Sequence, residues 1–150
     1  MFLPAALAVI SCHPVAVFDG DTFVCLTDQN QQVRVRLQQI DAPEKNQAFG
    51  QQAKKALSNL IWGKTLSVRM SDTDQYGRTL GTVYLGDLNI NQAMVERGYA
   101  WAYKQYLLTQ DRDKYLQLEQ SARSAKRGLW ADPAPIYPSD FRHSRSNSSK

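Results

Sequence analysis

The sequence predicts an α+β domain: a small closed β-barrel of about five strands with about three α-helices packed against it. Three observations predict it. Short alternating or β-branched runs fill the first half, apolar positions at helical spacing lie between and after them, and Gly or Pro marks most junctions. At 150 residues the chain suits one domain that buries its own core.

Met1 to Ile10 is apolar but too short for a bilayer span, which takes ~20 such residues. It resembles the apolar core of a secretory signal, although no Lys or Arg precedes it, and Pro4 with the Ala-rich composition argues against a first strand. Residues 15–24, Val-Ala-Val-Phe-Asp-Gly-Asp-Thr-Phe-Val, read as a hairpin turning at Asp19-Gly20-Asp21. Such a hairpin brings Cys12 near Cys25, so a disulfide is geometrically reasonable in an oxidising compartment. Two other readings stay open: Val9-Ile10-Ser11-Cys12 resembles a lipoprotein processing site, and the two thiols could be unrelated.

Residues 33–38 alternate, with Val33, Val35 and Leu37 on one face and Arg34 and Arg36 on the other, which predicts a strand. Pro43 cannot donate to a ladder and restricts Ala42, so the strand breaks into a loop over 40–44. Phe49, Ala53, Leu57, Leu60 and Ile61 step at helical spacing up to Gly63. Residues 64–70 and 79–85 are β-rich and flank a polar stretch, 71–78, which predicts two paired strands. A short helix over 90–97 ends at Gly98. Tyr115, Leu118, Ala122, Ala125 and Leu129 predict a last helix ending at Gly128, with Arg123, Lys126 and Arg127 placed where cations suit the helix dipole. From Asp132 Pro and Ser accumulate, and 144–150 reads as a disordered tail. This set of elements suits a barrel of the OB type.

The formal charge is +4, and residues 76–150 hold the excess, eleven basic against seven acidic. Such a field attracts polyanions but does not identify one. With His13 and His143 at opposite extremities, a Ser-His-Asp triad or a multi-histidine zinc site is not expected, and the cysteines lack zinc-finger spacing. There remain carboxylates on turns, Asp19, Asp21, Asp41 and Glu44, beside Arg36 and Arg78. Carboxylate oxygens on irregular backbone suit a hard cation, and guanidinium forks match phosphate oxygens. Together these are the parts of a metal-assisted phosphodiesterase. Taken singly, each part has a structural explanation in a turn or on a solvated strand face.

In order, however, the segments Phe18-Asp-Gly-Asp-Thr-Phe, Arg36-Leu-Gln-Gln-Ile-Asp-Ala-Pro-Glu44, Asp74-Gln-Tyr-Gly-Arg-Thr-Leu80, Met94-Val-Glu-Arg-Gly-Tyr-Ala-Trp-Ala-Tyr103 and Arg127-Gly-Leu-Trp130 resemble the staphylococcal nuclease family over about residues 13–142. Composition and the resemblance together divide the chain into three parts: a signal-like segment 1–11, a nuclease-like OB-fold domain 12–142, and a polar tail 143–150. The resemblance also implies that Asp21, Asp41 and the main-chain carbonyl of Ala42 bind calcium, with Asp19 near the water shell of the ion. Glu44 resembles the glutamate that positions or deprotonates the attacking water. Arg36 and Arg78 match the arginines on the scissile phosphate, Tyr76 a tyrosine at the nucleotide phosphate, and Tyr103 and Tyr106 the base-side tyrosines. Gln75 stands where the best-known member has lysine, and the stretch after Glu44 is shorter. The implied protein is an exported, periplasmic or secreted monomer that cuts DNA and RNA with calcium and leaves 3′-phosphate ends. The alternatives are a non-catalytic nucleic-acid-binding module of the same fold and a lipidated surface protein.

Overall fold

The Asp19-Gly20-Asp21 turn joins β1 (Val9–Val17) to β2 (Thr22–Thr27), which pair antiparallel with Val17 opposite Phe23. The computed structural model describes residues 8–148. The register of β1 shifts between Pro14 and Ala16, where Pro14 has no N–H for the ladder. The first part of β1 pairs instead with β5 (Leu66–Thr73), Cys12 facing Leu66 and Val9 facing Arg69. Residues 9–11, at the end of the signal-like segment, are therefore strand residues, because β5 offers them a ladder. Residues 1–7 of that segment lie outside the described residues.

β2 also pairs with β3 (Gln32–Leu37), and β5 pairs with β6 (Thr79–Leu85). β3 and β6 then pair in parallel, Val35 opposite Thr79, which closes the barrel in the order β3-β2-β1-β5-β6. Closure leaves these five strands without a free edge. Phe23, Val35, Leu37, Val68 and Val83 fill the inside, and each is fully buried. Cys12 and Cys25 are joined, their Cα atoms 5.6 Å apart, at the end of the hairpin away from its turn.

Helices cover the barrel. α1 (Gly50–Ile61) buries Ala53, Leu57 and Ile61 on one face, as their spacing requires. α2 (Ile90–Glu96) starts at Asn89, whose side chain accepts from the Gln92 N–H at 3.0 Å. α3 (Arg112–Ser124) buries Tyr115 and Ala122. It stops short of the predicted end at Gly128, because Lys126 turns left-handed at φ 54° and the chain packs backbone to backbone with Gly98. The Leu129 N–H donates to the Gly98 carbonyl at 2.8 Å, and a Cβ on Gly128 would lie 2.3 Å from that oxygen. Leu129 remains buried, but in a 3-10 turn, Gly128–Ala131.

The cationic cluster near this turn has specific partners beyond the helix dipole. Arg123 lies 4.3 Å from the ring of Trp130 and pairs with Glu119 at 3.4 Å, while Arg127 donates to the Glu96 carbonyl at 2.8 Å. A fourth helix, α4 (Pro138–Ser148), occupies the start of the segment read as a disordered tail. Pro138 at its first position and Asp140 in its first turn are helix-start residues. Among the described residues, no helix is long and apolar enough to cross a membrane.

Two short ladders complete the fold. β7 (Leu88–Asn89) extends β6, and β4 (Ile40–Asp41) pairs with β8 (Trp101–Ala102), setting Asp41 opposite Trp101. Asn91 is fully buried where β3, β6 and α2 meet. Its Oδ1 accepts from the Val83 N–H at 3.0 Å, and its Nδ2 donates to the carbonyls of Gln38 and Gly81 at 2.9 and 3.0 Å. These bonds tie the start of α2 to the β3–β6 seam and give both ends of the buried amide a partner.

Candidate active site

The predicted site residues converge on one groove of about 1070 Å³, which is lined by Asp19, Asp21, Arg36, Asp41, Ala42, Glu44, Tyr76, Arg78, Tyr103 and Tyr106, each from its own place in the fold. Asp21 is held by the turn between β1 and β2. Its N–H donates to Asp19 Oδ1 at 3.0 Å, while its own carboxylate accepts from the Thr22 hydroxyl at 3.0 Å and the Ala42 N–H at 2.8 Å. Gly20 allows this close approach: a Cβ there would lie 2.8 Å from the methyls of both Ala42 and Ala53. The small side chain at position 42 therefore has a packing role in addition to its place in the loop.

Arg36 leaves β3 on the groove side. Its Nη1 donates to the carbonyls of Leu37 and, at 2.9 Å, Ile40, so the backbone sets the plane of the guanidinium. Its Nη2 lies 3.5 Å from both Asp21 Oδ2 and Asp41 Oδ1, between the two carboxylates. Arg78 is aimed by Asp74. That carboxylate accepts from the backbone N–H groups of Tyr76 and Arg78 and pairs with Arg78 Nε at 2.7 Å. Tyr76 is 69% exposed beside it, with the Arg78 guanidinium 5.4 Å from its ring. On the opposite wall Tyr103 and Tyr106 meet edge to face at 4.7 Å, and Tyr106 is 63% exposed. The exposed ring of Tyr106 is open to meet a flat ring.

Burial and the proximity of the carboxylates to one another set the electrostatics of the floor. Burial and the neighbouring Asp21 push the Asp19 carboxyl up to about 8. Asp41 is also raised, by burial and by Asp21, against the hydrogen bonds of Arg142 and the charge of Arg36. Asp21 keeps the charge: burial opposes it, but Arg36 and the hydrogen bonds from Asp19, Ala42 and Thr22 hold it below the ordinary value. Asp21 and Asp41 are buried beside Asp19, and between them they share the guanidinium of Arg36 while Arg142 pairs with Asp41. Clustered carboxylate oxygens of this kind suit a hard cation. Among the described residues no three His, Cys, Asp or Glu side chains form a ready metal cluster. A cation here would thus rest on Asp21 and Asp41 with main-chain carbonyl and water oxygens.

One charged groove residue has no counterpart in the sequence reading. Arg142, on α4, donates to Asp41 Oδ1 and Oδ2 at 3.2 and 3.0 Å, to Glu44 Oε1 at 2.8 Å, and to the Tyr103 hydroxyl at 3.5 Å. Its segment is Pro- and Ser-rich, and only Pro138 and Asp140 signal the helix that carries it. Asp74 is the other omission. It lies within a quoted motif, and its spacing of four from Arg78 was the available signal.

Residues 34–132 match the family described as staphylococcal nuclease homologue. The chain is 49% identical over 133 residues to a Haemophilus influenzae protein named uncharacterized endonuclease, covering 88% of this chain and 72% of that one. It is 44% identical over 151 residues to protein ParB of Escherichia coli, covering 95% and 84% of the two chains. A protein of Shigella flexneri named micrococcal nuclease is 41% identical over 142 residues, covering 89% of this chain and 80% of its own. The closed barrel, the groove and these matches together place the chain in the staphylococcal nuclease family.

Proposed function

We propose that the protein is a calcium-dependent nuclease that hydrolyses phosphodiester bonds in DNA and RNA and leaves 3′-phosphate ends. The observation that carries this reading is the meeting of Asp21, Arg36, Asp41, Glu44 and Arg78, from five separate positions in the chain, in one groove between exposed tyrosines. The nuclease names of two of the relatives point the same way.

Asp21, Asp41 and the Ala42 carbonyl would hold the ion. Bound calcium supplies Lewis-acid polarisation of a phosphate oxygen and orientation of water. Glu44, on the loop after Pro43, takes the proton of the attacking water. Arg36 and Arg78 hold the phosphate from two sides and favour the more highly charged transition state over the ground state. Tyr76 contacts a phosphate, and Tyr103 and Tyr106 hold a base by stacking without selecting its identity. The joined cysteines are compatible with export to an oxidising compartment. A sulfur in a disulfide cannot also carry a lipid, so export with the pair intact excludes lipidation at Cys12.

The test is cleavage of single-stranded and duplex DNA and RNA by the purified protein, with calcium, with magnesium and with a chelator. Cleavage is expected with calcium, weak cleavage with magnesium, which demands tighter octahedral geometry, and none in chelator. Full activity in excess chelator overturns the metal requirement. Binding without cleavage under every condition favours a non-catalytic module.

A further inference from the structure

Arg142 lies where a calcium site needs free carboxylate oxygens. Both oxygens of Asp41 accept from its guanidinium, and Asp41 is only 1% exposed, so this carboxylate has no second face to offer. The same guanidinium holds Glu44 Oε1 at 2.8 Å. Metal ligand and water-activating base are thus paired with one side chain, itself 39% exposed and borne on the last helix of the chain.

The segment leading to α4 is anchored independently. Gln47 Nε2 donates to the Ile136 carbonyl, the Tyr137 ring meets Trp101 at 5.0 Å, and Pro138 and Ser139 are buried. Beyond Phe141 the helix turns exposed at His143 and Ser144. Arg142 is therefore the last described contact between α4 and the groove, held mainly by charge.

We propose that α4 is a calcium-released latch, in which Arg142 acts as an internal counter-cation that must give up Asp41 before a divalent ion can enter. This rests on the reading of Asp41 as a cation ligand. A guanidinium and a doubly charged ion cannot share both oxygens of one buried carboxylate, and they repel each other across it. At low calcium the latch keeps Asp41 covered and Glu44 paired, so the groove is held off. Once calcium takes Asp41, Arg142 loses its bidentate partner and Glu44 is freed to act on water. The latch therefore sets the calcium concentration at which the site fills.

Calcium titration calorimetry, with calcium alone and no substrate, on the full chain and on Arg142→Gln and Arg142→Lys tests this. Gln removes the charge at similar length and is expected to tighten calcium binding about tenfold or more, whereas Lys, which keeps the charge, stays nearer the original affinity. Amide hydrogen exchange of residues 138–148 in the unaltered protein supplies a second readout that needs no variant. Protection should fall when calcium is added, and in Arg142→Gln it should already be low and indifferent to calcium. Equal or weaker calcium affinity in Arg142→Gln, or unchanged α4 protection on calcium binding, overturns the latch while leaving the calcium nuclease reading in place. Absence of calcium binding in every form overturns both.

Discussion

Glu44 and Arg36 carry the sharpest expectations at the scale of single residues. Replacing Glu44 with Gln keeps size and one acceptor oxygen but removes the basic carboxylate, so on the proposed role turnover should drop roughly 10²–10⁴-fold with substrate affinity little changed. Single-turnover kinetics at saturating calcium checks this, and unchanged turnover would remove Glu44 from the chemistry. Arg36→Lys should not restore function, because one ammonium cannot bond two carbonyls and also face Asp21 and Asp41 as the guanidinium does. Near-normal kcat in that variant would reduce Arg36 to a source of positive field. The carboxylates also predict a pH dependence. Folding raises Asp19 from 3.8 to about 8, so between those values the folded chain keeps a proton that the unfolded chain has released. Stability of the metal-free protein should therefore fall as pH rises through this window, the loss being complete above about 8. Asp41, also raised, acts with the same sign. Asp21 is lowered, so its contribution is lost only as pH falls below the ordinary carboxylate range. Thermal melts from about pH 5 to 8.5 should show the decline, and Asp19→Asn should flatten it. A slope equally steep in that variant would rule out Asp19 as its source.

The β1–β2 hairpin is the element on which Asp19 and Asp21 are mounted, and the Cys12–Cys25 bond closes its far end. The bond constrains a loop with a sequence separation of 13, which in the chain-entropy view contributes about 3 kcal/mol by restricting the unfolded state. Replacing both cysteines with Ser should lower stability in urea by about 2–4 kcal/mol while leaving turnover near normal wherever the protein is folded, because the carboxylates sit at the opposite end. Loss of turnover at full folding would mean that the bond also shapes the turn. Intact mass with and without reductant establishes its presence in the purified protein. At the same scale, the β4–β8 ladder and Glu119 position the groove wall that carries Tyr103. Glu119 is buried, accepts from the Ala102 N–H at 2.9 Å and from Lys104 Nζ at 3.0 Å, and so holds the backbone that presents Tyr103.

For the whole molecule the groove lies across the barrel closure, where the β3 strand bearing Arg36 runs beside the start of β6 just after Arg78. A ligand that binds the groove only when the chain is folded should stabilise the whole fold. Calcium at about 100 times its dissociation constant should add roughly 2.7 kcal/mol, or about 5–11 °C in Tm for a domain of this size. Differential scanning fluorimetry across a calcium series checks it. A melting temperature independent of calcium would show that the ion does not bind the folded chain more tightly than the unfolded one.

How much of this was legible in the sequence follows from the range of each interaction. The Asp19-Gly20-Asp21 hairpin, the alternating strand at Arg34 and Arg36, the α1 face of Ala53, Leu57 and Ile61, and the break at Pro43 all depend on residues a few positions apart, so periodicity and turn chemistry reveal them. The carboxylates and arginines were identifiable as residue types in ordered motifs for the same reason. Other features rest on distant partners that no local signal encodes. Parallel pairing of β3 with β6 brings the Arg36 and Arg78 segments together, and buried Asn91 bonds Gln38 across 53 positions. The early end of α3 comes from the contact between Gly98 and Gly128, which overrides a good helical pattern through Leu129. Arg142 is the extreme case. It reaches Asp41 across 101 positions from a helix in a Pro- and Ser-rich stretch, because the pull of buried carboxylates on a guanidinium acts through space and becomes defined only once the chain has folded around them.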